Sequence, residues 1–280
     1  MSEASRSALL TAYDEQLRGE PETRRATWSD VDGPVFRSRF GDQRGFVSHR
    51  TLDGLSSDDV DALIARAVAY FRDQTSVDSF EWKTRGHDQP ADFPARLVAQ
   101  GFVPEECETV MIGEAHLVAD APVLPGGVDI RQVGAGLDPQ ASRDVIIEDL
   151  ERMFAMQVEV FGREAHQDAG EFADRMAEYP DQVEAWIAEN SGQVICTGRL
   201  EVVEGTQFAS LWGGATRRDW RRMGIYRGLT AARARSAMAK GITYLHSDST
   251  DGSRPILARS GFTAVTTTTP YIWHRPSLAL

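Results

Sequence analysis

The stretch from Phe208 to Lys240 restricts the fold more than any other part of this chain. An apolar run, Phe208 to Trp212, enters Gly213-Gly214-Ala215-Thr216 and crosses Arg217-Arg218-Asp219-Trp220-Arg221-Arg222-Met223-Gly224. From Ile225 it continues as an Ala-rich, arginine-studded run. The order reads strand, loop, helix, with the helix starting near Gly224, where the chain is least bulky. A helix start leaves backbone N–H groups without intrahelical partners, so those of Arg222 to Arg227 converge. With the cations of Arg221, Arg222 and Arg227 they make an anion cradle that suits a diphosphate better than a lone carboxylate. An arginine-rich surface turn before a helix fits the same local pattern. Neither Gly-x-x-x-x-Gly-Lys-Ser/Thr nor Gly-x-Gly-x-x-Gly occurs in the loop.

The rest of the chain narrows the partners. With 30 basic and 42 acidic residues the net charge is -12, so a nucleic-acid partner is not expected and a cationic amine would be attracted. Cys107 and Cys196 are the two cysteines, too few for a disulfide scaffold or a cysteine-based zinc cluster. The N-terminus is polar and no run approaches ~20 apolar residues. These features predict a soluble cytoplasmic protein with no membrane partner, as a monomer or homodimer. The histidines, His166 included, show no i, i+4 pair beside an acid, so no metal is expected.

Periodicity predicts helices over 4–17, 58–74, 92–100, 144–161, 168–179, 225–240 and 254–260. Strands are expected over 35–39, 45–49, 80–84, 102–112, 128–133, 183–188, 193–203, 208–212, 244–248 and 262–273. Glu189-Asn190-Ser191-Gly192 marks a hairpin. Pro122, Pro125, Gly126 and Gly127 make residues 119–127 the best linker, dividing the chain into 1–118 and 128–280. An internal echo supports two domains: Ala95-Arg96-Leu97-Val98-Ala99-Gln100-Gly101-Phe102 resembles Pro255-Ile256-Leu257-Ala258-Arg259-Ser260-Gly261-Phe262. The expected class is α/β, in the α+β mixed-sheet sense, with mostly antiparallel twisted sheets and helices on both faces. The first copy is incomplete, because the segment before its helix at Asp58 lacks the convergent arginines.

Arg221-Arg222-Met223-Gly224-Ile225-Tyr226 resembles the cofactor loop of the GCN5-related N-acetyltransferases, Gln/Arg-x-x-Gly-x-Gly/Ala, departing where Tyr226 replaces a small residue. Element order and Gly261-Phe262 also fit. The resemblance covers residues 128–274 well and 30–115 as a degenerate half, as in tandem bacterial members of that family. It implies acetyl-CoA as co-substrate. The pyrophosphate would lie on the N–H groups of Arg222, Met223, Gly224, Ile225, Tyr226 and Arg227, and the pantetheine arm would pair like an extra strand with Gly214, Ala215 and Thr216. An oxyanion would meet a backbone N–H near Ala215.

In such a family an amine, on a small molecule or a protein, attacks the thioester directly in a ternary complex. The tyrosine that usually protonates the thiolate is replaced by Leu257, which leaves that role to Tyr226, Tyr271 or water, or leaves the step unassisted. Candidate bases are Glu159, Glu201, His246 and Asp248, of which His246 and Asp248 share one face of a strand. Each also reads as an ordinary sheet or surface residue. Trp186, Trp212 and Trp273 could line an acceptor pocket or belong to the core. Two alternatives stand beside N-acetyl transfer: an acyl-CoA sensor or scaffold without turnover, and acyl or aminoacyl transfer from another donor.

Overall fold

The computed structural model describes residues 3–41, 44–138, 142–162 and 168–276. In chain order the elements are α1 (Glu3–Leu17), α2 (Glu20–Thr23), β1 (Trp28–Asp32), β2 (Val35–Phe40), β3 (Arg44–His49), α3 (Ser57–Asp73), β4 (Ser79–Arg85), α4 (Phe93–Ala99), β5 (Val103–Pro104) and β6 (Glu108–Glu114). They continue with α5 (Ala115–Val118), β7 (Val128–Gln132), α6 (Arg143–Phe161), α7 (Ala169–Glu178), β8 (Val183–Asn190), β9 (Gln193–Val202), β10 (Phe208–Thr216), α8 (Ile225–Ala239), β11 (Tyr244–Ser249), α9 (Arg254–Arg259) and β12 (Thr263–His274). Among the described residues, no helix is long and apolar enough to cross a membrane.

The chain forms two compact units, and their division differs from the boundary expected at 119–127. The first contains Met1–Met111, Asp248–Arg254 and Ala264–Leu280; the second contains Ile112–Ser247 and Pro255–Thr263. The last strand therefore belongs with the first half of the sequence. It pairs antiparallel with β4 from Thr268↔Arg85 to His274↔Ser79. Hydrophobic patterning shows that a strand exists, but not which copy's sheet it completes.

In the first unit the sheet order is β1-β2-β3-β4-β12, with β5 also on β12. β3 and β4 are parallel and the other pairs antiparallel. α3 starts at a capping box: Ser56 Oγ accepts from Asp59 N–H, and the Asp59 carboxylate accepts from Ser56 N–H, both at 3.2 Å. Its stripe of Val60, Leu63, Ile64, Ala67 and Phe71 is buried against Phe80, Trp82 and Trp273. The unexpected strand β1 is acidic and lies at the sheet edge, where Asp30 pairs with Arg37 (2.8 Å) and Asp32 with Arg66 (2.9 Å). Charge pairs to β2 and α3 hold it, which is why its own periodicity is weak. The expected strand over 102–112 is interrupted and becomes β5 and β6.

The second unit carries β11-β10-β9-β8-β7, with β10 and β11 parallel and the rest antiparallel. Ser191 (φ 49) and Gly192 (φ 79) close the β8–β9 hairpin in the left-handed region that a two-residue turn needs. The two echo segments end alike: Phe102 N–H bonds Leu97 O and Phe262 N–H bonds Leu257 O, each at 3.1 Å. Gly101 (φ 91) and Gly261 (φ 95) supply the left-handed residue that such a C-cap requires. Leu97 and Leu257 are equivalent and both fully buried.

Where β3 and β4 part after Val47↔Trp82, the first unit is filled by its own charges. Arg85 donates to Glu22 at 2.6 Å and to Tyr13 Oη at 2.8 Å. Lys83 pairs with Asp248 at 2.6 Å, and Arg18 with Asp88 at 2.6 Å. Burial opposes the Asp88 carboxylate, but His49 and Arg18 hold it well below the usual carboxylate range. Its stabilisation is therefore fully present above the unfolded value of about 3.9 and is lost only as pH falls through the lower folded value.

Two outcomes follow from this arrangement. Asp88→Asn should lower stability by about 1–3 kcal/mol at neutral pH, because it leaves the buried Arg18 with the part-exposed Asp14 as its remaining carboxylate partner; denaturant unfolding measures it, and a change below about 0.5 kcal/mol would contradict the role. A chain ending at Phe262 should show fast amide exchange across β3 and β4, whereas unchanged protection there would contradict the placement of β12.

Candidate active site

The second unit is shaped by the parting of two parallel strands. β10 pairs with β11 at Phe208↔Tyr244, Ala209↔Leu245 and Ser210↔His246 and no further. β10 runs on to Thr216 along β9, four residues past the end expected from its apolar run, with a bulge between Trp212 and Ala215. Gly213 in that bulge has φ 60, and Gln157 Nε2 holds its carbonyl at 2.9 Å. A Cβ on Gly213 would stand 2.9 Å from Gln157 Nε2. The left-handed conformation favours glycine, and a Cβ there would also displace the Gln157 amide from the carbonyl it holds.

The loop after β10 presents an uncapped helix start. Arg222 (φ 64) and Gly224 (φ 80) are both left-handed, a curl that turns successive N–H groups inward. Gly224, the residue before α8, has no side-chain cap, and the first turn holds no acid. Among the described residues, no hydrogen bond is formed by the N–H groups of Arg222 to Arg227. The loop below is braced: Arg221 Nε donates to Thr216 O at 3.0 Å, and Arg217 donates to Val194 O at 2.8 Å and pairs with Glu159. The side chains of Arg222 and Arg227 are exposed. The helix start in the first unit is the opposite case, capped by Ser56 and carrying Asp58 and Asp59 in its first turn, which repels an anion.

Cross-strand register sets the face turned toward α6 and α7. Ser210 lies opposite Glu201 and beside His246, and Trp212 lies opposite Arg199, so these five side chains share one face. His246 is 4% exposed; its Nδ1 and Ser210 Oγ are 3.1 Å apart, and the Trp212 ring stands edge-on to it at 6.3 Å. Glu201 accepts from Arg175 at 2.9 Å and lies 3.8 Å from Arg199. Asp248, two residues beyond His246, is committed to Lys83 and counted in the first unit. Glu159 is taken by Arg217. Among the described residues, no cluster of three or more His, Cys, Asp or Glu side chains could hold a metal ion.

The opposite face receives α8. Arg233 is buried against Gly198, where a Cβ would stand 2.5 Å from its guanidinium, and donates to Arg199 O at 3.0 Å. Tyr226 lies on this side under Gly214, and burial raises its phenol pKa despite the Arg233 cation. Burial likewise raises the Cys196 thiol to about 11. Trp186 donates to Glu184 at 2.7 Å, and Trp273 is in the first unit's core. Of the three tryptophans, Trp212 alone shares the face with His246. Sequence reading missed Gln157, Arg175 and Arg199, which come from separate elements and meet only through strand register.

No family model and no curated protein matches this sequence. Solved structures do match its fold. A GCN5-related N-acetyltransferase from Kribbella flavida is 16% identical, covering 99% of this chain and 96% of that one, with a TM-score of 0.64. Another from Sphaerobacter thermophilus is 16% identical over 88% and 79%, with a TM-score of 0.59. A tandem protein of the same fold from the clavulanic acid biosynthesis pathway is 14% identical over 88% and 79%, at 0.58. The chain has the GCN5-related N-acetyltransferase fold.

Two departures from that family's motif now have structural causes. The acetyltransferase loop ends on a small residue where this chain has Tyr226, and the ring is accommodated because β10 offers glycine: a Cβ on Gly214 would meet Tyr226 at 2.8 Å. Leu257, at the tyrosine position, is a core residue like Leu97 in the other copy. Gly214→Ala should cost about 1–3 kcal/mol through this overlap. In Gly214→Ala/Tyr226→Ala the new methyl fills space that the ring vacates. Denaturant unfolding should therefore show a double mutant less destabilised than the sum of the singles by about 1 kcal/mol or more; strict additivity would contradict the pairing.

Proposed function

We propose that this chain is an N-acetyltransferase that uses acetyl-CoA and an amine in one ternary complex. One observation carries the reading: in the second unit an uncapped, acid-free helix start follows a strand that loses its parallel partner beyond Ser210. The N–H groups of Arg222, Met223, Gly224, Ile225, Tyr226 and Arg227 hold the pyrophosphate, with Arg221, Arg222 and Arg227 adding charge. Gly214, Ala215 and Thr216 pair with the pantetheine arm as an added strand. Acetyl-CoA supplies an acyl carbonyl activated as a thioester.

The chain's own groups then position the amine and move its proton. His246, fixed by Ser210 at the point where the strands part, takes that proton directly or through water. A backbone N–H at the bulge near Ala215 faces the developing oxyanion. With Leu257 buried, thiol release proceeds without a tyrosine at that position, and Tyr226 supports Gly214 from the α8 face. The second unit carries the working copy and the first unit a copy without a cofactor loop. The protein is a cytoplasmic bacterial enzyme, a monomer or homodimer, acting on a small-molecule or protein amine; the free thiols of Cys107 and Cys196 suit that compartment.

Calorimetry with acetyl-CoA should show binding that weakens at least about tenfold in Gly224→Asp and in Arg221→Glu/Arg222→Glu, a loss of about 1.4 kcal/mol or more. Incubation with an amine panel should release free thiol, and His246→Gln should lower kcat while leaving the Kd for acetyl-CoA unchanged. Absence of binding would refute the cofactor assignment. Binding without thiol release on any amine would favour the sensor or scaffold, and turnover only with a different acyl or aminoacyl donor would redirect the donor.

A further inference from the structure

Between the registered pairs Trp212↔Arg199 and Ala215↔Thr197, Gly213 and Gly214 of β10 stand against the single Gly198 of β9. The extra residue turns one peptide out of the ladder, and a carbonyl turned out in this way needs donors from elsewhere. It finds two. Gln157 Nε2 donates to Gly213 O at 2.9 Å and Thr197 Oγ1 donates to it at 3.2 Å, which fills both of its lone pairs. Gln157 Nε2 also donates to Thr197 Oγ1 at 3.2 Å.

Groups from α6, β9 and β10 thus close a ring in which both amide hydrogens of Gln157 and the hydroxyl hydrogen of Thr197 are used. Thr197 is fully buried, so its hydroxyl has no water to turn to and each orientation in the ring is fixed by the other two. The Gly213–Gly214 bond is not among the cis peptides, and a trans peptide carries its C=O and N–H on opposite sides. Because the Gly213 carbonyl is held toward α6 and β9, the Gly214 N–H points away from both, toward the side on which β11 has parted from β10. That side is the edge assigned above to the pantetheine arm.

We propose that Gln157 and Thr197 are positioning residues of the acyl transfer, holding the bulge peptide so that its N–H meets the oxyanion as it forms. This rests on the acyl-transfer reading and adds to it the two side chains that orient the donor in advance. A donor fixed before the reaction is not reoriented as charge develops, whereas an unanchored bulge peptide is free to turn. The pyrophosphate cradle is braced separately, by Arg217 and Arg221 on main-chain carbonyls. Loss of the ring therefore separates turnover from cofactor binding.

Thr197→Val keeps the shape of the side chain and removes the hydroxyl; Gln157→Leu removes both amide donors. Thiol release from acetyl-CoA with a reactive amine gives kcat, calorimetry gives the Kd for acetyl-CoA, and denaturant unfolding shows whether each variant is folded. Each should lower kcat about ten- to a hundredfold and leave Kd within about threefold of the wild type. Thr197→Ser, which retains the hydroxyl, should keep most of the wild-type kcat. The double variant should lose less than the product of the two single losses, because both side chains serve one carbonyl. If either single variant does not fold, the other carries the test. An unchanged kcat in a folded variant, a fall in kcat matched by an equal rise in Kd, or a Thr197→Ser as impaired as Thr197→Val overturns the proposal while leaving acyl transfer intact. Wild-type protein that releases no thiol with any amine removes the transfer reading itself, and this role with it.

Discussion

Everything at the candidate site depends on a parallel strand pair that stops pairing. Beyond Ser210↔His246 the edge of β10 has, among the described residues, no strand on that side, and backbone N–H and C=O groups left there need partners from elsewhere. A β-bulge at the same place turns Gly213 and Gly214 out of regular register, and Gln157 anchors the bulged carbonyl from α6. The loop after the strand is braced by Arg217 and Arg221 onto main-chain carbonyls. Those bonds hold the start of α8 at the end of the open edge, so that one extended ligand could use both.

The two copies share that geometry and differ in what occupies it. In the first, the space beyond Val47↔Trp82 is taken by Glu22, Arg85 and Tyr13 from the chain itself, and the helix start is closed by Ser56 and Asp59. Each buried ion there is compensated by another, so the cluster holds together internally and would lose several kcal/mol if opened on one side. In the second, glycine replaces the capping side chain, acids are absent from the first turn, and arginines stand exposed around it. Leaving one helix start open and closing the other against an anion takes little more than that exchange of Ser-x-x-Asp for glycine.

Local signals in the sequence were strong where short-range physics decides the outcome. The Ser191-Gly192 turn, the amphipathic stripe of α3, the loop Arg221 to Tyr226 and the paired Gly-Phe endings of α4 and α9 each depend on residues close together in the chain. Long-range placement was not legible. Nothing in residues 263–274 says that they complete the sheet of the first unit, and the acidic strand β1 exists because Arg37 and Arg66 are brought to it. His246 and Asp248 share a strand face by periodicity, yet Ser210 engages one and Lys83 the other. Spacing along one strand cannot show which neighbours the sheet supplies.

The same distinction governs the reading of charge. Net charge describes the field felt by a molecule approaching from solvent, and at -12 it draws cations toward this protein. Selection happens after water is displaced, where only groups within a few ångströms count and a partly buried guanidinium interacts far more strongly than a solvated one.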